Sequence, residues 1–138
     1  MGKTCRKVSI DDLNPIKCIK HGSFNYKKED KKLTYSDPSP NGGGCYLISL
    51  NDTIKYVGET ANFERRINNY LTPGNRKTAR RIHKILKKRL RKGAEITFVY
   101  IDGCEIAKMK ISLMGKTVMA DRKLLERYII AYTRSNHL

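Results

Sequence analysis

The loudest chemical signal in the chain is a run of cations. Between Arg76 and Lys92 stand ten Lys or Arg side chains and no acid: Arg76, Lys77, Arg80, Arg81, Lys84, Lys87, Lys88, Arg89, Arg91 and Lys92. On a helix, like charges repel their i+4 neighbours. A phosphate backbone relieves that repulsion and releases condensed counterions. The stretch therefore predicts contact with nucleic acid, with no sequence readout implied. The bland alternative, a solvated face on a basic protein, accounts less well for the total absence of acids. His83 lies in the same run and suits either proton transfer or a phosphate contact. Other constellations are weaker. Cys18-x-x-His21 has a zinc-like spacing, but no second pair completes four ligands, so zinc is not expected. Asp121-Arg122-Lys123 matches a D-x-K nuclease pattern with Asp102 upstream, yet Asp121 reads as a helix start rather than a strand end. The three histidines (His21, His83, His137) lack the spacing of an HNH site.

The bias extends to the whole chain. It has 138 residues, with 29 Lys plus Arg against 13 Asp plus Glu, a formal charge of +16. Such an imbalance costs self-repulsion in the compact state, which a polyanion partner offsets. The length fits one domain able to bury a core without staples. No stretch of 18 apolar residues exists, so no membrane span is expected. The start, Met1 to Leu13, lacks the apolar core of a signal peptide. Cys5, Cys18, Cys45 and Cys104 are scattered and read as reduced thiols. The expectation is a cytoplasmic protein of a bacterial or phage-infected cell.

The elements that must position these residues are legible from residue 44 onward. Cys45 to Leu50 alternates in strand fashion, Asn51-Asp52 are turn residues, and Thr53 to Val57 returns, so 44–57 predicts a β-hairpin. Asn62 can cap a helix over 63–71, whose Phe63, Ile67 and Leu71 recur every four residues. Pro73-Gly74 breaks it. The basic helix spans 77–92, with Ala79, Ile82, Leu86 and Leu90 as its apolar stripe. A third strand covers 95–101, a ragged hairpin surrounds Met114-Gly115, and a last helix covers 120–134. Cys104 is expected to end a strand inside the core. The fold class is α+β, with a central antiparallel sheet of about three strands flanked by helices and a short extra hairpin. Residues 1–43 are polar and hold SDPSPNGGG at 36–44; they read as a basic arm (Lys3, Arg6, Lys7, Lys17, Lys20) and loop with room for one short hairpin.

The order of short motifs narrows the function. Gly44-Cys45-Tyr46 opens the first strand of the hairpin. Tyr56-Val57-Gly58 closes the second, ten residues later counted between the tyrosines. Asn62-Phe63 then starts a helix, an arginine follows eight residues after Gly58, and Tyr70 comes one turn later. This series resembles the GIY-YIG endonuclease family, with Cys45 and Val57 in the places of the two isoleucines. The resemblance places the family's arginine on Arg66, with Arg65 as the adjacent candidate, and its helical tyrosine or histidine on Tyr70. It places the metal-binding glutamate on Glu126, in Leu124-Leu125-Glu126-Arg127-Tyr128, and weakly an asparagine on Asn136. It covers about residues 44–136, so 44–138 is assigned as the GIY-YIG-like nuclease domain and 1–43 as the arm.

What the resemblance implies is a DNA endonuclease that hydrolyses phosphodiester bonds by a one-metal mechanism with Mg²⁺ (or Mn²⁺). In that scheme Arg66 stabilises charge on phosphate oxygens, and Glu126 holds the cation, which keeps several waters. Tyr46 is the candidate general base, Tyr56 orients water or the base, and Tyr70 hydrogen-bonds the scissile phosphate; these three roles can be permuted. A tyrosine of ordinary pKa near 10 is a poor base at neutral pH, and nearby cations are expected to lower it. Arg65, Arg76, Lys77, Arg80, Arg81, His83, Lys84 and Lys88 are the expected nucleic-acid contacts. Compactness resembles small stand-alone restriction- or phage-type members, which points to duplex DNA as the partner and to a homo-oligomer by analogy. The alternative is a non-catalytic basic nucleic-acid-binding protein, in which the tyrosines are ordinary core residues.

Overall fold

The computed structural model describes residues 7–113, 115–134 and 138. Its elements run β1 (Ile19–Lys27), β2 (Lys32–Tyr35), β3 (Gly44–Leu50), β4 (Thr53–Thr60), α1 (Phe63–Leu71), α2 (Lys77–Arg91), β5 (Ile96–Asp102), α3 (Gly103–Ile106), β6 (Lys110–Leu113), β7 (Lys116–Met119) and α4 (Arg122–Thr133). From β3 onward the order follows the expected pattern, with α3 added. Asn62 caps α1 by accepting the Arg65 amide at 3.0 Å, as its residue type allows. Asp121 does the same for Leu124 at the start of α4, at 2.8 Å. Asn51 and Asp52 take φ of 48° and 69°, the left-handed pair that a two-residue hairpin turn requires.

The main sheet is larger than the sequence reading. It has five strands in the order β2-β1-β5-β3-β4, and β6 with β7 forms a separate hairpin. The two additional strands come from the stretch taken as an arm. There, β1 pairs antiparallel with β2 and with β5. Charged residues at 27–32 hide this in the sequence, but they occupy only the exposed end of the hairpin. The buried face is carried by Phe24 and Leu33, 1% and 2% exposed. Cys104 also differs from its expected place: it is exposed in the short helix α3, not in the core.

Every residue of β3 is buried. Successive side chains of a strand point to opposite faces, and β3 feeds two different cores. Cys45 and Leu47 join Val57, Val99, Ile101, Leu125 and Ile129 on one side. Tyr46 and Ile48 join Phe24, Phe63, Ile67, Tyr70, Ile82, Leu86 and Phe98 on the other. The molecule is therefore three-layered, with α4 on one face of the sheet and α1 and α2 on the other. β4 is one of the two edge strands, β2 the other.

Candidate active site

The β3–β4 register brings the two halves of the tyrosine motif together. Tyr46 lies opposite Gly58, and Ile48 opposite Tyr56. The Tyr46 ring rests directly on Gly58, where a Cβ would collide with the ring and hydroxyl. Glycine is thus required by close approach rather than by backbone twist. The rings of Tyr46 and Tyr56 are 6.3 Å apart, those of Tyr46 and Tyr70 6.2 Å.

From α1, Arg66 and Tyr70 project at i, i+4 and so share a face. Tyr70 Oη lies 2.5 Å from Tyr46 Oη. Arg66 Nη1 donates to Tyr46 Oη at 3.4 Å, and its guanidinium sits 5.8 Å from the Tyr46 ring centre. Arg65, the neighbouring candidate, is exposed on the outer side of the helix. The helical pitch thus turns Arg66, and not Arg65, toward Tyr46.

The electrostatics departs from the sequence expectation for Tyr46. Tyr46 and Tyr70 are 0% and 1% exposed. Burial, then the charge of Tyr70, push the Tyr46 hydroxyl well above the ordinary tyrosine value, and Arg66 offsets only part of this. Burial also raises Tyr70, to about 12. The expected lowering by cations is outweighed by desolvation, which penalises a phenolate in the core. Both hydroxyls are neutral hydrogen-bonding groups at neutral pH.

Glu126 approaches from the opposite layer. It is partly buried on α4, and its carboxyl is raised by burial and then by the charge of Glu59, against the pull of Arg127, Arg66 and Lys123. Its field is also felt at Cys45. Glu126 is thus partly withdrawn from solvent and within electrostatic reach of Arg66, Glu59 and Cys45.

The pairing of Arg122 with Glu59 at this junction escaped the sequence reading. Arg122, one helical turn before Glu126, bonds through Nε to Glu59 Oε1 at 2.9 Å. Its carbonyl accepts the Cys45 thiol at 3.2 Å, and burial holds that thiol protonated, with a pKa of about 12. Arg122 thus ties α4 to β4 and β3 beside Gly58 and Tyr46. The only local signal was the position of Glu59 directly after Tyr56-Val57-Gly58. His83 is placed differently from an open phosphate contact: its Nδ1 donates to the Tyr70 carbonyl at 2.6 Å and binds α2 to α1.

The remaining expected contacts, Arg76, Lys77, Arg80, Arg81, Lys84 and Lys88, are all exposed on or beside α2. Arg81 also bonds the Leu138 carbonyl. Asn136 lies outside the described residues. The Cys18-x-x-His21 pair shows no zinc arrangement: His21 Nδ1 is 2.7 Å from Tyr35 Oη, and among the described residues no three His, Cys, Asp or Glu groups gather. For a divalent cation, the chemistry of the donors is what matters. Mg²⁺ is commonly held by one or two carboxylates plus waters and a substrate phosphate. Glu126, its charge pressed by Glu59, fits that limited donor set, and a cation would relieve the repulsion between them.

The family model for the GIY-YIG catalytic domain matches residues 42–138. The chain belongs to the GIY-YIG family. The expectation of a GIY-YIG enzyme is borne out. Among solved structures, an alanine mutant of bacteriophage T4 EndoII is 20% identical, with 93% of this chain and 96% of that one covered and a TM-score of 0.69. At that identity the likeness speaks for the fold. The restriction endonuclease Hpy188I in complex with product DNA is 14% identical, covering 95% and 82%, with a TM-score of 0.49. Among curated proteins nothing matches. In this GIY-YIG domain the motif tyrosines and Arg66 are in contact, and Glu126, on α4 across the sheet, feels the charge of Arg66.

Proposed function

We propose that the protein is a metal-dependent DNA endonuclease acting on duplex DNA, in the manner of small restriction- or phage-type GIY-YIG enzymes. The observation that carries this reading is Arg66. Its half-buried guanidinium touches the Tyr46 hydroxyl, and its charge is felt by the Glu126 carboxylate. A fixed cation beside two hydroxyls, with an acid in electrostatic reach, suits a phosphate whose oxygens gain charge during reaction.

In the proposed reaction a water oxygen bonds to phosphorus, the bond to one ester oxygen breaks, and the departing oxygen takes a proton. Arg66 binds the non-bridging oxygens. Tyr70 and Tyr46, buried and neutral, serve as hydrogen-bond partners that orient phosphate or water. Tyr56 is only partly buried and has room to meet the attacking water. This favours Tyr56 over Tyr46 beside the nucleophile. Glu126 would hold Mg²⁺ or Mn²⁺, which when bound supplies Lewis-acid stabilisation and an acidified water. The exposed cations of α2 bind the backbone without reading sequence. A homo-oligomer acting on both strands belongs to the same proposal.

Incubation of supercoiled plasmid with protein and Mg²⁺ tests it. The wild type should produce nicked or linear DNA, whereas Arg66→Ala and Glu126→Ala should bind DNA without cutting. Absence of cutting by the wild type with Mg²⁺ and with Mn²⁺, alongside intact binding, would leave the non-catalytic binder in its place.

A further inference from the structure

A cavity of about 310 Å³ lies between the end of α1 and the start of α2. Arg66, Asn69 and Tyr70 form its α1 wall, and Arg76, Lys77 and Thr78 its α2 wall. Three of these six are cations and none is an acid, so the cavity has the polarity of an anion site. Two features hold its shape. The Arg76 guanidinium is fixed by donation from Nη1 to the Pro73 carbonyl at 3.2 Å. The bond from His83 to the Tyr70 carbonyl clamps the two helices at the cavity's shared wall.

The position of the cavity is as telling as its charge. Arg66 and Tyr70 line it and also belong to the candidate active site, so the two spaces share a wall. A nucleic-acid strand carries a phosphate at every nucleotide. A strand held at its scissile phosphate must therefore place the next one nearby. We propose that the α1–α2 cavity seats the backbone phosphate immediately next to the one that is cut, on one side only. The strand then runs from the Glu126 edge, across Arg66 and Tyr70, to Arg76, Lys77 and Thr78. This rests on the endonuclease reading and adds the direction of the strand and a subsite. Arg76 is its central ligand, because its guanidinium is already positioned and can still donate to a phosphate.

Single methylphosphonate links, which remove one phosphate charge, provide the test. A duplex carrying one such link is cut by the wild type, by Arg76→Ala and by Arg76→Lys, and the ends are mapped. In the wild type, cutting should vanish at the neutral link and fall about tenfold at one neighbouring link, on a single side. Arg76→Ala should cut more slowly at every unmodified link and lose the additional effect at that neighbour. Arg76→Lys should retain part of it. The salt slope of DNA binding, measured without divalent metal, should become shallower by about 0.9 in Arg76→Ala, the loss of one phosphate contact. Inorganic phosphate serves as the probe for a free anion. Competition by phosphate that depends on Arg76, with no neighbour effect in the wild type, would assign the cavity to a free anion and overturn the inference. An equal neighbour effect in wild type and Arg76→Ala would overturn it too, while leaving the endonuclease reading intact. A wild type that cuts nothing removes both.

Discussion

The two faces of the sheet are built from different materials. The face under α4 is aliphatic, with Val57, Val99, Ile101, Leu125 and Ile129. The face under α1 and α2 adds aromatic rings to its aliphatic residues: Phe24, Tyr46, Phe63, Tyr70 and Phe98. An aliphatic core has no polar atoms to satisfy and can do little but hold α4 in place. The aromatic core buries hydroxyls that must find partners, and they find one another and Arg66. No buried side-chain polar atom among the described residues is left without a partner. The reactive wall is thus a polar seam within a core, and the aliphatic face contributes Glu126 by carrying its helix to the β4 edge.

This contrast yields tests, beginning with the largest effect. Arg66→Ala should lower the cleavage rate by about 10²–10³, the usual cost of removing a fixed donor to a developing oxyanion. Thermal unfolding of the variant should remain near wild type, because Arg66 packs only part of its length. On the aliphatic face the ratio should invert. Leu125→Ala should cost about 2–5 kcal/mol in denaturant unfolding, and activity should be lost only as the folded fraction falls. A Leu125→Ala protein that is stable yet inactive would show that the α4 face does more than hold its helix.

Between these extremes lies Tyr46→Phe. It removes one hydroxyl and strands its partner, at a cost of about 1–3 kcal/mol in stability. Cleavage should fall more than stability does if the hydroxyl orients phosphate or water. Equal cleavage by Tyr46→Phe and wild type would reduce Tyr46 to a core residue.

The joint between the faces should give a smaller effect. Glu59→Gln and Arg122→Ala should each slow cleavage several-fold, mainly in kcat, because α4 is less firmly held near Glu126. The double variant should be little worse than either single one, since one ion pair is broken in all three. The pair is partly exposed, so its effect on stability should be slight.

The smallest expected effect concerns pH. Glu126 has a raised pKa in the fold, so its neutral form favours folding. Its contribution is fully present below the unfolded value near 4.3 and is lost as pH rises through the higher folded value. At neutral pH the charged side chain is therefore a slight burden. Glu126→Gln should melt at a slightly higher temperature than wild type at pH 7, while cutting nothing. The difference should shrink toward pH 4.

The amino-acid sequence alone determined what depends on short spacings. The tyrosine hairpin, the Asn62 cap, the i, i+4 relation of Arg66 to Tyr70 and the basic face of α2 follow from periods of two and 3.6 residues and from residue types at turns. The motif order likewise carries the resemblance to the GIY-YIG family. Tertiary structure decided what crosses the chain. The hairpin of β1 and β2 looked like a charged arm, because only docking on β5 shows which of its side chains turn inward. Glu126 lies sixty residues beyond Arg66, and no local period relates them; that each feels the other's charge depends on how α4 packs against β4. The Arg122–Glu59 tie, between residues 63 apart in sequence, follows from no local period for the same reason. The protonation of Tyr46 was also decided in three dimensions, because the pull of Arg66 counts for less than the burial of its hydroxyl.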